Sequence, residues 1–136
     1  MRTKMFVVLA LCIGIATAGC KKDDEINTAM SDLSTFTAEL VQKVEATQGS
    51  IEGLDAAQQF LDSKKEVMKK KLGILKEARG FQVSDATKKT MTDSVTKNMT
   101  SVASLQIKYV TRSVRDPNYK AKLEKLVKDY TALLTT

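Results

Sequence analysis

Apolar residues recur at spacings of three and four from residue 26 onward, which is the period of one face of an α-helix. The pattern predicts four amphipathic helices, over residues 26–48, 54–79, 85–114 and 117–134. In chain order, the predicted apolar stripes are Ile26, Ala29, Leu33, Phe36, Leu40 and Val44; Leu54, Ala57, Leu61, Met68, Leu72 and Leu75, widened by Phe60, Val67 and Ile74; Met91, Val95, Val102, Leu105 and Tyr109, with Asn98, Met99 and Val110 beside them; and Tyr119, Leu123, Leu126, Tyr130 and Leu133. The tyrosines fall on apolar faces, and we expect their hydroxyl groups to reach water.

Residues that favour helix ends separate these stretches. Gly49 and Ser50 interrupt the first pattern, and Ser84 is placed to cap the third helix with its side chain. Asp116 precedes Pro117, and proline fits the first position of a helix, where its missing N–H is not needed. These signals agree with the four predicted helices.

The predicted fold class is all-α. No segment shows the alternating, β-branched pattern of a strand. Four amphipathic helices joined by short loops favour an elongated antiparallel bundle. A three-helix bundle with a loose first or last helix is the alternative.

The first nineteen residues have the plan of an export signal. Arg2 and Lys4 precede an uncharged apolar run, residues 5–18, and charge returns at Lys21. The run is shorter than the roughly 20 residues that span a bilayer as a helix, so the segment predicts a signal peptide rather than a permanent anchor.

Cys20 follows this segment directly. Cys12 lies within the predicted signal, so Cys20 would be the single cysteine of the mature chain, with no partner for an internal disulfide. Thr17-Ala18-Gly19-Cys20 resembles the lipobox of bacterial lipoproteins, and the resemblance implies cleavage between Gly19 and Cys20 and a lipid on the Cys20 thiol. Cleavage after Ala18, which would release a soluble secreted protein, is the alternative.

This interpretation divides the chain into a signal peptide (1–19), a lipidated cysteine with a charged tether (20–25) and a helical bundle domain (26–136). The resemblance also implies a place in the cell envelope, facing the periplasm or the cell surface. Lys21, rather than aspartate, follows the cysteine, and in that class this favours the outer membrane.

The composition argues against an enzyme. The chain has no histidine, which removes the commonest acid–base residue and the commonest metal ligand. No glycine-rich phosphate loop or inward-facing Glu-x-x-His motif occurs, so we expect no cofactor and no metal site. Asp62 and Glu66 are spaced i, i+4 among lysines, which predicts surface ion pairs.

The lysine-rich segment of the second helix, residues 64–71, is the most strongly charged feature. One hypothesis is a solvated helix whose lysine stems cover the edge of the core. The other is a basic interaction surface for an envelope protein, anionic lipid or acidic glycan. Its candidate residues are Lys64, Lys65, Lys69, Lys70, Lys71 and Lys76.

The formal net charge of +6 falls to +4 when Arg2 and Lys4 leave with the signal. The remaining charges are interspersed, which predicts solubility rather than nucleic-acid binding. The sequence therefore predicts a non-enzymatic, lipid-anchored envelope protein with a structural or protein-interaction role. The alternative is a periplasmic chaperone or stress protein that binds unfolded envelope proteins through a basic, partly apolar surface. The pattern does not indicate an oligomeric state.

Overall fold

The computed structural model of the protein describes residues 20–77 and 83–135. Over these ranges it contains helices and no strand, in the order α1 (Cys20–Glu45), α2 (Ile51–Glu77), α3 (Asp85–Lys108), α4 (Val110–Arg115) and α5 (Pro117–Thr135). The all-α prediction is therefore confirmed. The predicted signal peptide, with Thr17, Ala18 and Gly19, lies outside the described residues, as do residues 78 and 79 at the predicted end of the second helix.

The four long helices form an up-down-up-down bundle. α1 packs against α2 and α3, and α5 packs against the same two helices, so α1 and α5 lie diagonally across the bundle. An ion pair joins Asp32 in the first half of α1 to Lys71 in the second half of α2, as antiparallel neighbours require. All four long helices take part, so the four-helix prediction is correct and the three-helix alternative is not.

The bundle has two ends, and two contacts identify them. At the Cys20 end, where α1 begins, Asp23 accepts a hydrogen bond of 3.0 Å from the backbone N–H of Ser84 just before α3. At the opposite, distal end, Arg112 of α4 donates a hydrogen bond to the carbonyl oxygen of Gly49 in the α1–α2 turn. α4 therefore closes the distal end.

The predicted apolar stripes supply most of the core. All predicted members of the α1 and α5 stripes are buried, and so are five of the six in α2. The buried apolar side chains of the described ranges all lie between Ile26 and Leu133, so residues 20–135 contain this core complete. Val67 and Val110 were expected beside the core, but they are 54% and 52% exposed.

Helix α1 is longer at its start than the sequence pattern predicted. It begins at Cys20, so residues 20–25, expected to form a charged tether, are its first turns. Lys22 and Glu25 form an ion pair of 3.7 Å along this stretch. The hydrogen bond from Ser84 lowers the pKa of Asp23 and joins these turns to the start of α3.

The α1–α2 connection is a tight helix stop followed at once by a new helix. The N–H of Gly49 donates to Val44 O and that of Gln48 to Glu45 O, which together form a Schellman motif. Gln48 and Gly49 both have positive φ, 53° and 67°. Ser50 then caps α2 by accepting from Gly53 N–H at 3.2 Å. Because of this cap, α2 begins at Ile51 rather than at the predicted residue 54.

Tyr109 divides the predicted third helix into α3 and α4. Its φ of −108° and ψ of 20° lie outside the helical region. Its ring packs edge-on against Tyr119, with centroids 6.5 Å apart, and lies so close to Gly49 that a Cβ there would be 2.4 Å from the ring. The break therefore lies where α3 packs against the α1–α2 turn and α5.

The predicted caps of the last two long helices are confirmed. Ser84 Oγ accepts from Thr87 N–H at 3.2 Å. Asp116 Oδ1 accepts from the N–H groups of Asn118 and Tyr119 at 2.9 and 3.0 Å, with Pro117 at the first helical position. Both are side-chain caps that can be recognised from local sequence.

The prediction for the tyrosine hydroxyls is wrong at two positions. Tyr119 and Tyr130 are completely buried. The Tyr130 hydroxyl lies 2.6 Å from Thr37 Oγ1, across the diagonal between α5 and α1. The Tyr119 hydroxyl has no hydrogen-bond partner among the described residues. Both rings fill the centre of the bundle instead of its edge.

Candidate functional site

Three of the four exposed large apolar side chains of the described residues lie near the distal end. Ile107 is 79% exposed, Val114 78% and Val110 52%. With the exposed Ala103 they follow one another at spacings of four, three and four residues, which places them on one side of α3 and α4. We call Ala103, Ile107, Val110 and Val114 the distal stripe. An exposed apolar stripe of this kind is typical of an interaction surface.

The inward face of the same segment shows that the distal stripe points away from the core. Val102 and Leu105 are fully buried against the bundle, and Ser113 is half-buried on the same side. A helix turns about 100° per residue, so within α3 Ala103 and Ile107 lie on a different side from Val102 and Leu105. Within α4, Val114 lies about 100° around the helix from Ser113. The distal stripe is therefore an additional apolar face and not an edge of the core.

The segment that carries the distal stripe has a positive net charge. From Ser94 to Arg115 the chain contains no aspartate or glutamate, but it contains four cations: Lys97, Lys108, Arg112 and Arg115. Lys108 pairs with Glu45, whose hydrogen bond raises the pKa of Lys108. Arg115 forms no ion pair with a described side chain. Residues 94–115 are therefore basic as a segment, although Glu45 pairs with one of the four cations.

Arg112 fixes the part of the distal stripe that α4 carries. Its guanidinium group donates to the Gly49 carbonyl oxygen and lies 5.5 Å from the centre of the Tyr119 ring. A cation over an aromatic face is an attractive contact. Because Arg112 contacts the α1–α2 turn and the Tyr119 ring, these contacts hold α4 with Val110 and Val114 in solvent.

The structure divides the lysines predicted to form a basic surface between two sides of α2. Lys70 and Lys71 lie toward α1, where Asp24, Glu25 and Asp32 line the same groove. The distance from Lys71 Nζ to Asp32 Oδ2 is 2.5 Å. This side of the lysine-rich segment is therefore matched by carboxylates.

The other side of α2 faces α5. Lys65 pairs with Asp62 at 3.7 Å and Lys69 with Glu66 at 3.5 Å, which confirms the predicted surface ion pairs of these two acids. Lys76 lines a groove with Lys69 nearer the Cys20 end. Lys64 is exposed and, like Lys70 and Lys76, forms no ion pair with a described side chain. Exposed ion pairs such as Lys65–Asp62 and Lys69–Glu66 contribute little to stability.

One polar cluster joins α2 to α5. Gln58 Nε2 donates to Asp129 Oδ2 at 2.9 Å and to Asp62 Oδ1 at 3.3 Å, and Lys125 lies 2.5 Å from Asp129. The hydrogen bond from Lys125 lowers the pKa of Asp129. The described residues contain no group of three or more acidic or cysteine side chains placed to hold a metal ion. The cluster therefore acts as an interhelical polar contact.

Sequence reasoning did not identify the distal stripe. The pattern placed Val110 beside the inward stripe of the third helix and left Ile107 and Val114 unassigned. Two signals could have identified it: the second run of apolar residues at spacings of three and four, and the absence of acidic residues over 94–115. Both are visible without a structure.

Cys20, the predicted lipidation site, is the first residue of α1 and lies at the end of the bundle away from the distal stripe. None of the described helices is long and apolar enough to cross a membrane. The Cys20 end of the bundle and the distal stripe are the two features on which a functional interpretation depends.

No known protein family matches the chain, and neither does a curated protein or a solved structure.

Proposed function

We propose that the protein is a non-enzymatic, lipid-anchored protein of the bacterial cell envelope that binds another envelope protein through the distal stripe. The observation that carries the proposal is the exposure of Ile107, Val110 and Val114 on one side of a segment without acidic residues. Burying these side chains against a partner would be favourable by about 25 cal/mol per Å². The positive net charge of residues 94–115 favours a partner with a negatively charged surface.

The proposed anchor and the distal stripe lie at opposite ends of an elongated molecule. Helix α1 has 26 residues, which at about 1.5 Å per residue is roughly 39 Å. A lipid on Cys20 would therefore hold the stripe about 40 Å from the membrane end of the bundle. This arrangement suits a protein that meets its partner away from the bilayer surface.

The anchor is tested with the Cys20→Ser variant. We expect the wild type to incorporate a labelled fatty acid and to fractionate with membranes. The variant is expected to lose all label, because the thiol that receives the lipid is absent. Wild-type protein that takes up no label and remains in the soluble fraction would contradict the anchor and leave only secretion.

The distal stripe is tested by photo-crosslinking in cells. A photoreactive amino acid in place of Val110 is expected to give one discrete adduct. Ile107→Asp together with Val114→Asp should reduce the adduct by at least about tenfold, because carboxylates at the centre of an apolar contact are left unpaired. The adduct should also weaken in high salt, since residues 94–115 carry a positive net charge.

The matched control is the same photoreactive amino acid at Val67, which is 54% exposed on α2 and away from the distal stripe. It should give no such adduct. Equal adducts from both positions would contradict the proposal. Many adducts from Val110, together with suppressed aggregation of an unfolded outer-membrane protein, would favour the chaperone alternative.

A further inference from the structure

Helix α5 packs against α2 and α3. Its last apolar residues, Leu133 and Leu134, lie level with Leu72 of α2 and Val95 of α3. Beyond this level α2 continues to Glu77, and Leu75 remains only partly buried.

A groove of about 230 Å³ lies between these helices. Its walls are apolar and come from three helices: Leu72 and Leu75 of α2, Val95 of α3, and Leu133 and Leu134 of α5. The volume exceeds that of the roughly 150 Å³ engineered cavity that admits a benzene ring. The groove can therefore take an apolar group of several carbon atoms.

Gly73 lies in the wall of this groove and has no packing reason to be glycine. A Cβ built there meets no atom within 4 Å. At Gly53 in the same helix, by contrast, a Cβ would lie 1.9 Å from Thr47 Oγ1. Glycine inside a helix is destabilising relative to alanine. Gly73 therefore keeps the groove wider than a residue with a side chain would.

The polar residues of the groove are both cations. Lys69 and Lys76 line it, and none of the carboxylates of residues 20–77 and 83–135 does. Lys76 has no ion pair with a described side chain, and Lys69 pairs only with the exposed Glu66, at 3.5 Å. An apolar cleft with two lysines beside it is complementary to an anion that carries an apolar chain.

We propose that this groove binds one acyl chain of an anionic lipid, with the chain between α2, α3 and α5 and the anionic head group at Lys69 and Lys76. The proposal requires neither the distal stripe nor the anchor. If Cys20 is lipidated, the groove lies at the membrane end of the bundle, where such lipids are present.

The test uses residues 20–136 with Cys20→Ser, because these residues contain the core, and the probe is a fluorescent long-chain fatty acid. We expect saturable binding of one fatty acid per chain. Gly73→Leu should weaken it by at least about tenfold without lowering the thermal midpoint, because leucine fills the groove and favours a helix more than glycine does. Gly73→Ala should weaken it less.

Charge is tested with a matched pair of double variants. Lys69→Gln with Lys76→Gln should weaken fatty-acid binding by about tenfold. Lys64→Gln with Lys70→Gln removes the same charge from the same helix outside the groove and should leave binding unchanged. A fatty alcohol of equal length should bind more weakly than the fatty acid.

Three results would overturn the proposal: no saturable binding to the parent protein, equal binding by the Gly73→Leu variant, or equal effects of the two double lysine variants. Light scattering adds a fourth. A stable dimer that the Gly73→Leu variant disrupts would show that a second copy of the chain occupies the groove.

Discussion

Replacing Phe36 with alanine is expected to lower the free energy of unfolding by about 3–5 kcal/mol, the usual loss for a fully buried phenylalanine. Phe36 is 4% exposed. Its ring stacks on Phe60, with centroids 5.2 Å apart, and on Tyr130 at 6.3 Å. The substitution therefore leaves a cavity where α1, α2 and α5 meet, and rigid rings on two sides cannot collapse into it.

The measurement is urea unfolding of residues 20–136 with Cys20→Ser, followed by circular dichroism. Val67→Ala is the matched control, because it also shortens an apolar side chain, but one that is 54% exposed. It should change the free energy of unfolding by no more than about 0.5 kcal/mol. A Phe36→Ala variant within the same range would show that this three-helix contact does not exist.

The periodicity predicted the buried faces well, because burial in a bundle depends mainly on the position of a residue around its helix. Helices α1 and α5 are the clearest cases, since every member of their predicted stripes is buried. The prediction that Val67 lies beside the core is wrong for a reason that the sequence pattern does not show. It lies about 100° around the helix from Met68, and α2 packs mainly against α1 and α5. Its side of α2 remains in solvent.

Features that depend on contacts between distant residues could not be predicted. Lys71 looked like a member of a basic surface, but it pairs with Asp32, 39 positions away in the chain. Tyr109 ends α3 because its ring packs against Tyr119 and Gly49, which the helical pattern of residues 85–114 does not show. The tyrosine hydroxyls were assigned to water on their residue type alone.

The distal stripe and the groove differ in whether the sequence alone could have revealed them. The distal stripe could have been recognised from spacing and charge over residues 94–115. The groove could not, because it depends on how Leu133 and Leu134 of α5 lie beside Leu72 and Val95. From the sequence alone, Gly73 indicates only a residue that destabilises its helix. Its role in the groove depends on the open space that the structure places around it.

Tyr130 is expected to make stability fall steeply at alkaline pH. Thr37 donates its single hydroxyl proton to Leu33 O at 2.8 Å, so the Tyr130 hydroxyl is the donor in its 2.6 Å contact with Thr37 Oγ1. Ionisation would remove this hydrogen bond and leave a buried phenolate. Burial accordingly raises the pKa of Tyr130 to about 12.

The sign of the effect follows from proton linkage. The folded state holds the Tyr130 proton more tightly than the unfolded state, in which the pKa of tyrosine is about 10. The resulting stabilisation is fully present below pH 10 and is lost between about pH 10 and pH 12. A shift of this size corresponds to about 2–3 kcal/mol.

Tyr130→Phe isolates this contribution, because the lysines and the other tyrosines titrate in both proteins. Below pH 10 the wild type should be more stable by about 1 kcal/mol, the usual net value of one hydrogen bond. As the pH approaches 12, the free energy of unfolding of the wild type should fall by about 2–3 kcal/mol more than that of the variant. The phenylalanine variant should then be the more stable protein. Parallel unfolding free energies from pH 9 to pH 12 would contradict a buried, proton-donating Tyr130.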